Sequence, residues 1–146
     1  MGGLVMDGKT SIKAVIEVGV AVRDLDQATR LFVDVLGAEA GPVIDVKRYQ
    51  MRYRMCRVGG MDFELMESTG EGGVIDKFLK SKSEGLHHIA LKVSDLEDVL
   101  SDLKGKGINL IDQEPRFLPD HSGRYAFMHP KSFHGVMFEL IEEGKS

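Results

Sequence analysis

The feature that most constrains this chain is a repeat inside it. The segment Glu17-Val-Gly-Val-Ala-Val-Arg-Asp-Leu25 aligns without gaps on His88-Ile-Ala-Leu-Lys-Val-Ser-Asp-Leu96, an offset of 71 residues (88 − 17). Near the end of each half, Phe63-Glu-Leu-Met-Glu67 aligns on Phe138-Glu-Leu-Ile-Glu142, an offset of 75 (138 − 63). Two landmarks that keep their order and nearly their spacing indicate one unit used twice. At 146 residues the two units share one compact domain. The boundaries read from the pattern are a first module at 12–68, a linker helix within 69–83, and a second module at 84–143.

Each unit opens on an alternating strand, whose side chains point to opposite faces with period two. Ile16, Val18, Val20 and Val22 form one face and Glu17, Gly19 and Ala21 the other; Ile89, Leu91 and Val93 repeat this opposite His88 and Ala90. Helical spacing follows over Asp24–Leu36 and Ser94–Lys106. Asp24 with Gln27, and Ser94 with Glu97, carry the start signal, and Gly37 and Gly107 the stop. Strands are expected at about 40–47, 50–58 and 61–67, then 108–112, 123–129 and 135–142, with an amphipathic helix over Val74–Lys82. The expected class is α+β: tandem βαβββ modules whose two curved mixed sheets form one cleft.

The formal net charge of −4 gives no electrostatic footprint for nucleic acid or an anionic membrane. Cys56 is the sole cysteine, which excludes an intrachain disulfide and a thiolate cluster. Met1 to Lys13 contains no apolar run of signal-peptide or membrane-span length, so a soluble, cytoplasmic protein is expected.

The strand face turned away from the helices carries the chemistry. Glu17 and His88 hold equivalent first-strand positions, and Glu64 and Glu139 equivalent last-strand positions. Phe63 and Leu65, like Phe138 and Leu140, take the helix-facing side, so both glutamates point the other way. If the sheets curve alike, one imidazole and three carboxylates converge on a space lined by small residues. That donor set suits a divalent ion of borderline to hard character. Taken singly, each of the four would be an ordinary polar residue on a solvated strand; their shared symmetry favours a metal site. His87 alternates onto the apolar face and reads as a packed or hydrogen-bonded residue. Tyr49, Met51, Tyr53 and Met55 read as barrel filling, interleaved with the basic Lys47, Arg48, Arg52, Arg54 and Arg57.

These residues resemble the vicinal oxygen chelate (glyoxalase/dioxygenase) superfamily, and within it most closely the methylmalonyl-CoA epimerases. The likeness runs from about residue 13 to 142. It is carried by Val18-Gly-Val-Ala-Val-Arg-Asp-Leu-Asp-Gln-Ala28, Val33-Asp-Val-Leu-Gly37, Gly73-Val-Ile-Asp-Lys-Phe-Leu79, Gly85-Leu-His-His-Ile-Ala90, Ala126-Phe-Met-His-Pro-Lys131 and Gly135-Val-Met-Phe-Glu-Leu140. The resemblance implies a divalent metal held by His88 and Glu139, with Glu64 where the epimerases carry Gln or Glu, and Glu17 where they carry His. It also implies Glu139 as a base, with Glu64 or Glu17 as its opposing partner. Arg48 stands where the epimerases have an acid/base glutamate, and Phe133-His134 where they show a small residue and Gly.

The extra carboxylate at Glu17 shifts the expected ion toward Co²⁺, Mn²⁺ or Mg²⁺ and away from Zn²⁺ or Ni²⁺. Arg48, Gln50, Lys131 and His134 are the candidates for contacting substrate, an acyl-CoA thioester by resemblance. The expected reaction is proton transfer at a carbon next to a carbonyl. A glyoxalase I-like lactoylglutathione lyase and a non-catalytic small-molecule binder of the same fold are the alternatives. Exposed sheet edges point to a homodimer.

Overall fold

The computed structural model of the protein describes residues 12–144. The expectation of no signal peptide falls on a stretch of which residues 1–11 lie outside the described part. The elements are β1 (Ile12–Ala21), α1 (Leu25–Leu36), β2 (Glu39–Val46), β3 (Met51–Val58), β4 (Met61–Ser68), α2 (Val74–Lys82), β5 (Gly85–Val93), α3 (Leu96–Gly105), β6 (Arg116–Phe117), β7 (Gly123–Phe127) and β8 (Phe138–Glu143), with 3-10 turns at Lys47–Tyr49 and Pro130–Phe133.

The strands join into a single eight-stranded sheet in the order β2-β3-β4-β1-β5-β8-β7-β6. Within each half the first strand pairs in parallel with the last, β1 with β4 and β5 with β8. The antiparallel β1–β5 pair then fuses the halves, so the two expected sheets are one continuous surface.

α1 and α3 cover one face. Val22, Leu25, Ala38, Cys56 and Leu65 pack beneath α1, and Val93, Leu96, Val99, Leu100, Ala126 and Leu140 beneath α3. Leu25, Leu65, Leu96 and Leu140 are fully buried, each contributing about 1.5–3 kcal/mol of transfer energy. Both helices start on an aspartate in extended conformation. Asp24 accepts from Gln27 N, and Asp95 from Asp98 N. The cap of α3 is therefore Asp95, not Ser94; the repeat alignment itself pairs Asp24 with Asp95 and is the better guide. Gly37 closes α1 at φ 68°, a left-handed conformation that suits glycine.

The opposite face is concave. α2 closes one end of it, with Ile75 and Leu79 against Ala21, Val46, Met51 and Met66. The expected strand at 108–112 reduces to a single bridge, Leu110 to Met128, and the second half gains the short β6 instead. The Asp112 carboxylate accepts from Phe127 N at 2.9 Å, occupying a donor that a longer ladder would need. Among the described residues no helix is long and apolar enough to cross a membrane.

Candidate metal and active site

Glu64, Glu17, His88 and Glu139 come from β4, β1, β5 and β8, the four central neighbours of the sheet. Their side chains meet. His88 Nε2 lies 3.2 Å from Glu139 Oε1, 3.5 Å from Glu17 Oε2 and 4.0 Å from Glu64 Oε1. Glu17, His88 and Glu139 are buried and Glu64 is half-buried. The four residues singled out by the repeat thus form one constellation.

Two β-bulges shape it. β1 is bulged between Val15 and Glu17, which puts Ile16 beside Glu17 in the cavity wall, not on the helix-facing side. β5 is bulged where Gly19 faces His88 and Val20 faces Leu86, leaving His87 as the extra residue. In consequence the His87 ring turns edge-on to Phe78 of α2 and to His88, a position that simple alternation does not give. Gly19 is required beneath the His88 ring, because a Cβ there would sit 2.2 Å from His88 Cε1.

The Nδ1 atoms of His87 and His88 lie 2.9 Å apart, so one must donate to the other. Burial and the neighbouring His88 push His87 down to about 3, so it is neutral and can accept. A proton held on His88 Nδ1 leaves Nε2 as the ligand atom. Burial opposes a charge on His88, but the surrounding carboxylates of Glu139, Glu17 and Glu64 raise it to about 10 in the metal-free protein. Glu64 is raised well above the ordinary carboxylate range by burial and then by Glu17, and Glu139 is raised by burial.

A cation fits this arrangement. His88 Nε2 is buried and has no partner of hydrogen-bonding geometry, although three carboxylates surround it. One ligand atom each from Glu17, Glu64 and His88 lies within 4.8 Å of the others, against about 3–4.2 Å between donors on an octahedral ion at about 2.1 Å. A small contraction completes that geometry, and a positive charge removes the repulsion among the carboxylates.

Beside the cluster opens a cavity of about 490 Å³ lined by Tyr53, Asp62, Leu118, Asp120 and Ile141 together with Glu17, Glu64 and Glu139. A second cavity of about 350 Å³, lined by Asp45, Lys47 and Arg48, shares Tyr53, Pro119 and Asp120 with it. Arg48 donates to Phe117 O at 2.9 Å and lies 4.8 Å above the Tyr49 ring. Gln50 is exposed in a left-handed turn and its side chain rests on Gly70 and Gly73. Lys131 and His134 are exposed in the turn joining β7 to β8, and neither lines these cavities.

One pair of functional supports is not among the residues that the sequence pattern singles out. Glu67 accepts from Leu25 N at 2.7 Å and pairs with Arg52 at 2.6 Å; Glu142 accepts from Leu96 N at 2.7 Å and pairs with Arg124 at 2.8 Å. Each last strand is thereby tied to the start of its module's helix. A signal for them exists: Arg52-Tyr53 recurs as Arg124-Tyr125 at an offset of 72 (124 − 52), and Glu67 and Glu142 fall in phase with the helix-facing residues.

Residues 17–127 match the family model described as Glyoxalase/Bleomycin resistance protein/Dioxygenase superfamily. Mitochondrial methylmalonyl-CoA epimerase of Mus musculus is 33% identical over 124 residues, covering 84% of this chain and 69% of that protein. The chain belongs to the methylmalonyl-CoA epimerase family of this superfamily. The crystal structure of methylmalonyl-CoA epimerase from Mycobacterium tuberculosis superposes with a TM-score of 0.84 at 30% identity, covering 95% of this chain and 93% of that one. A Streptomyces coelicolor methylmalonyl-CoA epimerase variant in complex with 2-nitronate-propionyl-CoA gives 0.82 at 29% identity, with 93% and 99% covered. Membership of this family makes the chain a metal-dependent enzyme of the epimerase and isomerase class.

Proposed function

We propose that this chain inverts the α-carbon of a malonyl-type CoA thioester such as methylmalonyl-CoA, in the cytoplasm. The observation that carries the reading is the buried His88 Nε2, facing three carboxylates without hydrogen-bonding geometry to any of them, at the wall of a cavity. Glu17, Glu64, His88 and Glu139 hold the ion. When bound, a divalent ion supplies Lewis-acid stabilisation of the negative charge that develops on the thioester oxygen.

Glu139 removes the α-proton; its burial raises its affinity for that proton. Glu64 holds the opposing wall of the cleft, and the water-poor surroundings of both strengthen each electrostatic contact. Arg48, beside the second cavity, takes an anionic group, and the exposed Gln50, Lys131 and His134 contact the extended CoA portion. Three carboxylates about one ion favour Co²⁺, Mn²⁺ or Mg²⁺ over Zn²⁺ or Ni²⁺.

Elemental analysis of the purified protein, followed by loss of the α-hydrogen signal from methylmalonyl-CoA in deuterated water, tests this. Bound divalent metal with exchange is the expected result. Exchange only from a glutathione hemithioacetal would move the assignment to a lactoylglutathione lyase, and binding without exchange to a non-catalytic module.

We also infer a homodimer. The sheet leaves β2 and β6 as edges, and α1 exposes Leu31 at 60% and Val35 at 69%. Light scattering at micromolar concentration is expected to give twice the chain mass; a monomer mass refutes it.

A further inference from the structure

Inversion at carbon needs a proton removed from one face and another delivered to the opposite face. The proposed function assigns Glu139, on β8, to the first task, and the identity of the second group rests on that assignment. Glu17 and Glu64 are assigned to the ion; outside the ion's ligands, the described residues that the two cavities share are Tyr53, Pro119 and Asp120. Pro119 has no exchangeable side-chain proton. Asp120 accepts from Ser122 N at 2.9 Å, and the Ser122 hydrogen bonds hold its carboxyl below the usual range, so it is ionised and has none to give. A tyrosine hydroxyl is protonated at neutral pH in any ordinary surroundings.

Tyr53 lies on β3, and the order β3-β4-β1-β5-β8 places the strands of Glu64, Glu17 and His88 between it and Glu139. A substrate over those central strands therefore has Glu139 on one flank and Tyr53 on the other. Tyr53 lines the cavity together with Glu17, Glu64 and Asp120, and burial with these acids beside it raises its phenol to about 12. Its equivalent in the second half, Tyr125, has its hydroxyl occupied by that of Tyr49, with Arg116 beside the pair. Among the described residues the Tyr53 hydroxyl makes no such bond.

We propose that Tyr53 is the second proton-transfer residue, delivering a proton to the face of the α-carbon opposite Glu139. The Glu139 carboxylate takes the α-proton of one epimer, and the C–H electron pair moves onto the thioester oxygen as an enolate. The pair returns to carbon as the Tyr53 O–H proton forms the new C–H bond, leaving a phenolate. Water in the open cavity reprotonates the phenolate while Glu139 releases its proton, so no co-reactant is consumed. In the other direction Tyr53 first gives its proton to water in the cavity while Glu139 takes one up, and the phenolate then removes the α-proton as Glu139 delivers one to the opposite face.

The test uses the full-length, metal-loaded protein and each epimer of methylmalonyl-CoA separately, in deuterated water. Tyr53→Phe, with wild-type ion affinity and thermal midpoint, should lose inversion by at least about a hundredfold. It should still exchange the α-hydrogen of one epimer with retention and leave the other inert. Tyr53→His, which restores an exchangeable proton, should recover part of the inversion. Inversion by Tyr53→Phe within about threefold of wild type overturns the assignment, being far below the usual contribution of an acid or base. So does equal loss of exchange from both epimers by both variants, or loss of inversion by Asp120→Asn while Tyr53→Phe retains it. Wild-type protein that exchanges neither epimer overturns the proposed function itself, and this assignment with it.

Discussion

At the residue scale, His88 is the centre of the site and its surroundings decide its chemistry. Gly19 gives its ring a floor, His87 fixes the proton on Nδ1, and the carboxylates converge on Nε2. Replacing His87 by Phe keeps the packing on Phe78 but removes the acceptor. We expect a roughly 10–100-fold loss of metal affinity, measured by competition with a chelating dye. Unchanged affinity would show that His87 is packing alone. Glu17→His should retain metal and shift preference toward Zn²⁺ or Ni²⁺, because it exchanges a hard oxygen for an imidazole. Titration of metal-free wild type and variant with each ion checks this, and identical rankings would remove Glu17 from the ligand set.

The metal-free protein should also show a distinctive pH dependence. The folded state holds the His88 proton up to about 10, against an ordinary value of 6.5. That contribution to stability is complete below about pH 6.5 and lost as pH rises through about 10. The raised Glu64 and Glu139 act in the same direction, since ionising them in the fold is costly. Thermal midpoints of chelated protein should fall from pH 7 to pH 10, and the gap to metal-loaded protein should widen. A constant gap would contradict it. The four converging side chains are legible in the sequence, because period-two alternation and the repeat fix which face each occupies. The placement of His87 is not, since a bulge breaks that period without changing composition.

At the element scale, the repeat locates both helices and most strands, and its failures have local causes. α3 begins at Asp95 because an Asp carboxylate reaches the Asp98 amide, while Ser94 precedes the extended cap residue. The strand at 108–112 fails because Asp112 takes up a ladder donor. The ties from Glu67 and Glu142 to α1 and α3 are longer-range, and only the pairing register reveals that they reach a helix start. They make unequal contributions. Glu142 is 2% exposed and its Arg124 partner 16%, whereas Glu67 is 15% exposed and Arg52 39%. Glu142→Ala should destabilise by about 2–4 kcal/mol, since it leaves a buried helix-end amide without its acceptor and takes the buried one of two carboxylate partners from Arg124, which keeps Glu97. Glu67→Ala should cost only about 1–2 kcal/mol, mainly the lost amide acceptor, with its ion pair screened by solvent. Urea unfolding of the two variants compares them, and a reversed ranking would show that burial does not govern these ties.

At the scale of the whole molecule, the architecture serves to place four strand side chains at one point. Fusing the two halves through β1 and β5 brings the strands of Glu64, Glu17, His88 and Glu139 to the middle of one sheet, flanked by β3 and β7. A duplicated module thus builds a site that neither half contains. The sequence pattern indicates the duplication and the shared cleft, but not the continuity of the sheet, because strand pairing between halves leaves no mark in alternation. The cavity is equally hidden: its outer wall comes from Leu118, Pro119 and Asp120, loop residues with no periodicity to read.

The most direct measurement is the configuration of methylmalonyl-CoA after incubation with metal-stripped and metal-restored protein. Starting from a single epimer, metal-restored protein should produce both epimers, with solvent hydrogen at the α-carbon of the inverted product, and stripped protein should leave the substrate unchanged. Inversion at the same rate without metal, or none after Co²⁺, Mn²⁺ or Mg²⁺ is restored, would contradict a metal-dependent epimerase centred on Glu17, Glu64, His88 and Glu139.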